Sequence, residues 1–269
     1  GVAEARRKPP ETLASYECVL LAQDYMRTLT SETHLSARNC LERAVAREPD
    51  YADALAWLAF LHDDTYVLGF NPIPEPLEQA RAVLQRALIL DPRNQKVHWE
   101  MAVNRFFRRD LSGFFQEVEQ ALAINPNNAH ALGDLALFMV HAGEPEKALK
   151  MVEEALRLDP IPRFQTQLAL YVIYFQEQRF QQALSEITKT PLADFYWYQA
   201  SLAAAYGQLD ETQRAHDAAA ALLALNPEFP ANVWQEIDLW WFAEDVGPLI
   251  ARYIAGLRKA GLDIPDHSN

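Results

Sequence analysis

Apolar residues recur along this chain at three- and four-residue intervals, in paired stretches separated by short polar turns. Leu55/Leu58/Ala59/His62, His98/Met101/Ala102/Arg105, Leu132/Leu135/Ala136/Met139, Gln167/Leu170/Tyr171/Tyr174 and Gln199/Leu202/Ala203/Tyr206 all keep an i, i+3, i+4, i+7 spacing. That spacing gathers the four side chains on one helix face, so each set predicts an amphipathic helix. A second stretch follows with the pattern A-x3-(L/V/A)-x2-(A/L)-x4-P, in Ala37/Leu41/Ala44/Pro49, Ala80/Leu84/Ala87/Pro92, Ala148/Val152/Ala155/Pro160 and Ala215/Ala219/Leu222/Pro227. Phe114/Val118/Ala121/Pro126 varies its first position, and Ala183/Ile187/Pro191 is one helical turn short. Proline cannot continue a helix interior, so Asp91-Pro92, Asn125-Pro126, Asp159-Pro160 and Asn226-Pro227 predict sharp helix stops. Pro92, Pro126 and Pro160 are 34 residues apart, with flanking intervals of 43, 31 and 36. A period in this range marks stacked supersecondary units.

These motifs resemble the tetratricopeptide repeat (TPR), a 34-residue helix–turn–helix carrying W-x2-L-G-x2-Y, then A-x3-F, then P. The resemblance implies an all-α TPR superhelix, an α-solenoid of about six helix pairs, over residues 12–229. Its units fall at about 12–51, 52–94, 95–128, 129–162, 163–192 and 193–229, behind a linker at 1–11. The second unit is nine residues longer, with an insertion at 63–76, and the fifth loses a turn before Pro191. Residues 230–262 read as C-terminal capping helices and 263–269 as a tail. A terminal unit must cover the last apolar face of a stack, a role that suits Trp240-Trp241-Phe242. The segments RKPPETLASY (7–16) and GLRKAGL (256–262) add a narrower likeness. They are similar to the C-terminal TPR regions of bacterial signalling proteins, where an adenylate cyclase or a ToxR-like winged-helix domain precedes the repeats.

Composition narrows the partners. Half of the 269 residues are apolar and only 9 are Gly, which suits helices. A net charge of −13 argues against nucleic acid and against direct contact with an anionic membrane. The basic cluster Arg6-Arg7-Lys8 stands before Pro9-Pro10 and reads as a junction. The chain opens Gly-Val without Met, and no run of about 18 apolar residues occurs, so it reads as a fragment of a longer protein. Its localisation stays open between bacterial cytoplasm and the periplasmic side of an inner-membrane protein. Two cysteines, Cys18 and Cys40, each lie about eleven residues from a turn near Leu29-Thr30-Ser31. They would sit at similar heights on neighbouring helices, either as two buried thiols or as a disulfide, which needs Cα atoms within about 7 Å. A bridge would imply an oxidising compartment.

In TPR arrays the fifth and ninth residues of the first helices line a concave groove. The resemblance places Phe60, Trp99, Val103, Leu137 and Val172 there, with Phe106, Phe107, His141 and Phe175 a turn further on. Lys96, Arg105, Arg108, His130 and Gln165 would rim it. Chaperone-binding TPR domains place Lys, Asn and Arg in the groove to clamp a carboxylate, and that set is missing. An aromatic groove suits a protein or peptide partner, whereas the same stripe packed by the insertion or the last helix is plain core. Catalysis has no motif to support it, and no cofactor or metal is expected. His130 and His141 are too far apart along a helix to share a metal, and His62-Asp63-Asp64 reads as a solvated turn. Glu117 and Glu119 read as an exposed face, and Gly143 and Gly207 as turn glycines. The functional expectation is a non-catalytic binding module of a bacterial signalling protein. A scaffold or homodimer is one alternative, and a small-molecule sensor with a cavity around Trp99, Phe106 and Phe175 is another.

Overall fold

The structure, a computed structural model, describes residues 13–161, 163–244 and 246–267. The linker 1–11, the basic cluster Arg6-Arg7-Lys8 and most of segment 7–16 lie outside them. Among the described residues every regular element is a helix. The order is α1 (Leu13–Thr28), α2 (Ser31–Arg47), α3 (Ala52–Leu68), α4 (Pro76–Leu90), α5 (Gln95–Phe107), α6 (Leu111–Ile124) and α7 (Ala129–His141). Then come α8 (Pro145–Leu158), α9 (Phe164–Gln176), α10 (Phe180–Ile187), α11 (Tyr196–Gln208), α12 (Thr212–Leu225), α13 (Phe229–Trp240) and α14 (Gly247–Lys259). They gather into two compact units, 1–131 and 132–269, with the boundary inside α7.

The helix boundaries follow from local chemistry. Asp91, Asn125 and Asp159 each sit just past a helix, before proline. Each accepts a hydrogen bond on its side-chain oxygen from the amide two residues on, in Arg93, Asn127 and Ile161. The D/N-P dipeptides are therefore Asx turns that both stop one helix and steer the chain toward the next. Asn94 and Asp110 then cap α5 and α6 by accepting from Val97 and Gly113, and Asn128 accepts from the Ala131 amide at the start of α7.

Within pairs, the turn is a Schellman motif used four times. Arg109, Gly143, Gln178 and Asp210 take left-handed φ angles of 62°, 86°, 62° and 56°. The next residue in each case donates its amide to a carbonyl five residues back: Asp110 to Arg105, Glu144 to Met139, Arg179 to Tyr174 and Glu211 to Tyr206. Gly143 is a turn glycine as expected. Gly207 is not, because it lies inside α11 and Asp210 supplies the left-handed turn.

Packing in the first unit runs α1 against α2, α3 against α4 and α5 against α6, with α3 also touching α1 and α5. The small and apolar positions of the A-x3-L-x2-A stretches fill the seams. Ala37, Leu41, Ala44, Ala80, Ala87, Phe114 and Ala121 are wholly buried. Alanine there lets two helix backbones approach, while the central Leu, Val or Phe supplies the apolar area. In the second unit Ala148, Val152, Ala183, Ile187, Ala215 and Leu222 do the same.

The 63–76 insertion takes two forms. Its first part lengthens α3 to 17 residues, and Gly69 ends that helix at φ 66°, a conformation glycine adopts without strain. Its loop is fastened to α2, where Asn71 donates to the Ser31 carbonyl and Arg38 donates to the Asn71 carbonyl at 2.6 Å. His62-Asp63-Asp64 is consequently no solvated turn. It lies inside α3, with His62 and Asp63 buried.

Candidate functional site

In the first unit, α3 and α5 bring Phe60 and Trp99 together around one cation. Lys96 is 7% exposed, and its Nζ lies 3.8 Å from the ring centroids of both Trp57 and Trp99 and 5.4 Å from that of Phe60. The same Nζ is 2.5 Å from Glu100 Oε1. Lys96, expected at a groove rim, thus fills an aromatic cage held closed by its own carboxylate, an arrangement that stabilises a desolvated ammonium. Val103 is buried one turn on. Phe106 packs edge-on against Phe107 and Phe114, and the exposed Tyr66 has its ring centroid 6.3 Å from that of Phe107.

Buried polar groups surround this cluster. Asp63 accepts from Asn104 Nδ2 at 2.7 Å, and its pKa is pushed well up by burial and by the nearby Glu100 and Asp64 charges. Tyr25 donates to Asp64 at 2.9 Å, and burial raises its pKa too. His34 Nε2 lies 2.8 Å from the Leu61 carbonyl, while Asn71 Nδ2 donates to Nδ1. One nitrogen donating and the other accepting fixes the neutral imidazole, in line with a pKa lowered to about 4 by burial. Glu117, expected on an exposed face, is buried and takes a 2.7 Å hydrogen bond from His98 Nδ1. The His98 Nε2 also faces a carbonyl, that of Pro92, so both nitrogens donate; the Glu117 bond raises the pKa.

The second unit holds Leu137, His141, Val172 and Phe175, all buried. His141 lies between Trp240 and Trp241, with ring centroids 5.1 and 5.8 Å away, and burial lowers its pKa to about 3. Phe175 packs against Tyr171, Phe180 and Tyr253, the last contributed by α14. Trp240 also meets Phe138 on α7. The Trp240-Trp241 pair therefore covers α7 and α14 side chains, and the last helix packs along α11 and reaches Phe175 of α9 through Tyr253. Of the ten stripe residues, His130 is exposed and Phe60 half-buried, and the other eight are buried. Phe106 is packed within the first unit and Phe175 within the second. Cys18 and Cys40 form a disulfide between α1 and α2, with Cα atoms 5.2 Å apart.

One cavity of about 310 Å³ opens in the first unit between α4 and α5. Arg105 and Arg108, expected at a groove rim, line it together with Arg81 and with Leu84 and Met101. Arg81 and Gln85 carried no signal in the sequence, since a cavity wall shared by two helices is not a motif. The i, i+3, i+4 relation of Arg81, Leu84 and Gln85 is the only trace that could have found them. Among the described residues no group of three or more His, Cys, Asp or Glu side chains can hold a metal, and no helix is long and apolar enough to cross a membrane.

The helix pairs, Asx turns and left-handed hairpin turns are those of a TPR fold, and the family model described as tetratricopeptide repeat matches residues 115–170. Two solved structures place that fold more closely. A human IFIT1 dimer with PPP-AAAA is similar at a TM-score of 0.61 and 19% identity, over 86% of this chain and 55% of that one. Pseudomonas aeruginosa pilF is similar at a TM-score of 0.52 and 18% identity, over 80% of this chain and 92% of that one. No curated protein matches the sequence.

Proposed function

We propose that this chain is a non-catalytic binding module that engages a protein or peptide partner and serves as the interaction part of a larger bacterial signalling protein. The observation that carries the first half is the run of paired helices with repeating seams and turns, which extends beyond the matched repeat at 115–170. Arrays of this kind present extended surfaces built for contact. The signalling half is supported by the likeness of segments 7–16 and 256–262 to cyclase-linked and winged-helix-linked TPR regions. The Cys18–Cys40 bond favours an oxidising compartment, hence the periplasmic side.

With eight stripe residues buried, the partner meets the accessible edge of the stripe. Phe60, His130 and the exposed Tyr66 beside Phe107 supply it. A photo-crosslinking residue placed at Tyr66 or His130 in the full gene product tests this. The expected result is a crosslink to a different polypeptide at both positions. A crosslink only to a second copy would replace the reading by a scaffold, and turnover of a substrate by the isolated chain would overturn it.

A further inference from the structure

The cavity between α4 and α5 is lined by arginines in a chain that is acidic as a whole. The chain carries a net charge of −13, yet the cavity wall holds Arg81, Arg105 and Arg108 against a single acid, Asp110. The wall is assembled by helix periodicity. Arg81 and Leu84 lie one turn apart on α4, Met101 and Arg105 lie one turn apart on α5, and Arg108 is the residue that caps the C-terminus of α5. Leu84 is buried and Met101 half-buried, so the floor is apolar and the rim cationic.

The guanidinium groups are positioned by carboxylates without being used up by them. Glu78, which is not part of the wall, takes Arg81 Nε at 2.8 Å and also pairs with Arg108 Nη1. Arg105 donates Nη1 to Asp110 at 2.7 Å, and its Nη2 stands 3.5 Å from Glu117. A guanidinium has five N–H donors in a planar fork. Arg81 therefore retains both Nη groups, and Arg108 its Nη2 and Nε, with no further hydrogen bond among the described residues. Side chains already ordered by Glu78 and Asp110 lose little entropy on binding a ligand.

We infer that this cavity binds a small organic acid, a planar carboxylate carried on a compact apolar body. The carboxylate would take paired N–H donors from Arg81 and Arg108, the geometry in which Arg–carboxylate pairs are strongest. The apolar body would rest on Leu84 and Met101. A volume of about 310 Å³ is at the small end of ligand pockets, which fits a single such molecule better than a folded segment.

Calorimetric titration of the whole chain with benzoate and with 3-methylbutanoate tests this, with benzamide as the uncharged probe. Inorganic phosphate and an amidated acidic hexapeptide complete the series. Binding of the two carboxylates and not of benzamide is expected, weakening as salt is raised because the rim is partly exposed. Arg81→Gln and Arg108→Gln should each weaken binding by about tenfold or more, the size of a charge-assisted hydrogen bond. Both positions are partly exposed, and unchanged circular dichroism melting confirms that the variants fold. Carboxylate binding that ignores both substitutions overturns the assignment, as does equal binding of benzamide. Binding of the hexapeptide alone replaces the small acid by an acidic protein segment, and binding of phosphate alone replaces it by an inorganic anion.

Discussion

Asp63 carries a carboxyl group 1% exposed, facing Asn104 on one side and the Glu100 and Asp64 charges around it. Burial raises its pKa, and the like charges add to that shift. A carboxyl whose folded pKa is raised binds its proton more tightly in the native state than in the unfolded one. Native stability is therefore lost as pH rises from the unfolded value near 3.8 through the folded pKa. Asp63→Asn keeps the oxygen that Asn104 bonds and removes the ionisation. The variant should unfold at higher urea than the parent at pH 7, by roughly 1.4 kcal/mol for each pH unit of upward shift. At pH 4 the difference should shrink toward zero. A variant weaker than the parent at both pH values would mean the carboxylate is structurally required. The residue types here were legible in the sequence, but their burial was not. His62-Asp63-Asp64 looks like a polar helix end, and it becomes interior because α3 runs on to Leu68.

Close approach of α11 and α14 decides how the second unit is closed. A Cβ on Gly256 would stand 2.2 Å from the Ala204 carbonyl oxygen, and one on Gly207 would stand 2.0 Å from that of Gly256. Both obstacles are backbone, so neither can swing aside, and the two helices cross with glycine against glycine. Gly256→Ala should force them apart and cost roughly 1–3 kcal/mol, the usual range for overpacking. Loosening of Trp241 against Tyr253, now 5.1 Å apart, should appear as a change in tryptophan fluorescence. An unchanged melting temperature with unchanged fluorescence would show that the crossing is not tight. The A-x3-L-x2-A seams could be read directly, because each lies within one helix and its period is local. Gly207 misled because its partner is 49 residues further along the chain.

Across the molecule, His34, His62 and His141 are held neutral by burial. His34 and His62 have pKa values lowered to about 4 and His141 to about 3, from an ordinary value of 6.5. Between those limits the unfolded chain binds protons that the native protein does not. Stability should therefore hold above pH 6.5 and fall as pH drops toward 4, by up to roughly 1.4 kcal/mol per pH unit for each histidine. His98, whose pKa is raised by Glu117, completes its change above that window, and Asp63, whose pKa burial raises, offsets part of the loss. Urea midpoints at pH 7, 6 and 5 should decline, and His141→Phe should flatten the decline. Midpoints that stay level or rise on acidification would contradict the neutral, buried assignment.

The sequence by itself determined the helices, their pairing and their stops, because 3.6-residue periodicity and the D/N-P turns act within a few residues of backbone. It also placed Cys18 and Cys40 at matching heights on α1 and α2, where they are bonded. Tertiary structure alone decided what the aromatic stripe is for. Trp240 and Trp241 reach His141 on α7, Tyr253 reaches Phe175 on α9, and Lys96 turns into the Trp57–Trp99 cage. Those contacts bury a stripe that the repeat pattern leaves on an open face. Arg105 and Arg108 go instead to a cavity whose third arginine, Arg81, lies on another helix. Periodicity fixes which face a residue occupies, and only the packing of distant elements fixes whether that face meets solvent, a ligand or another part of the chain.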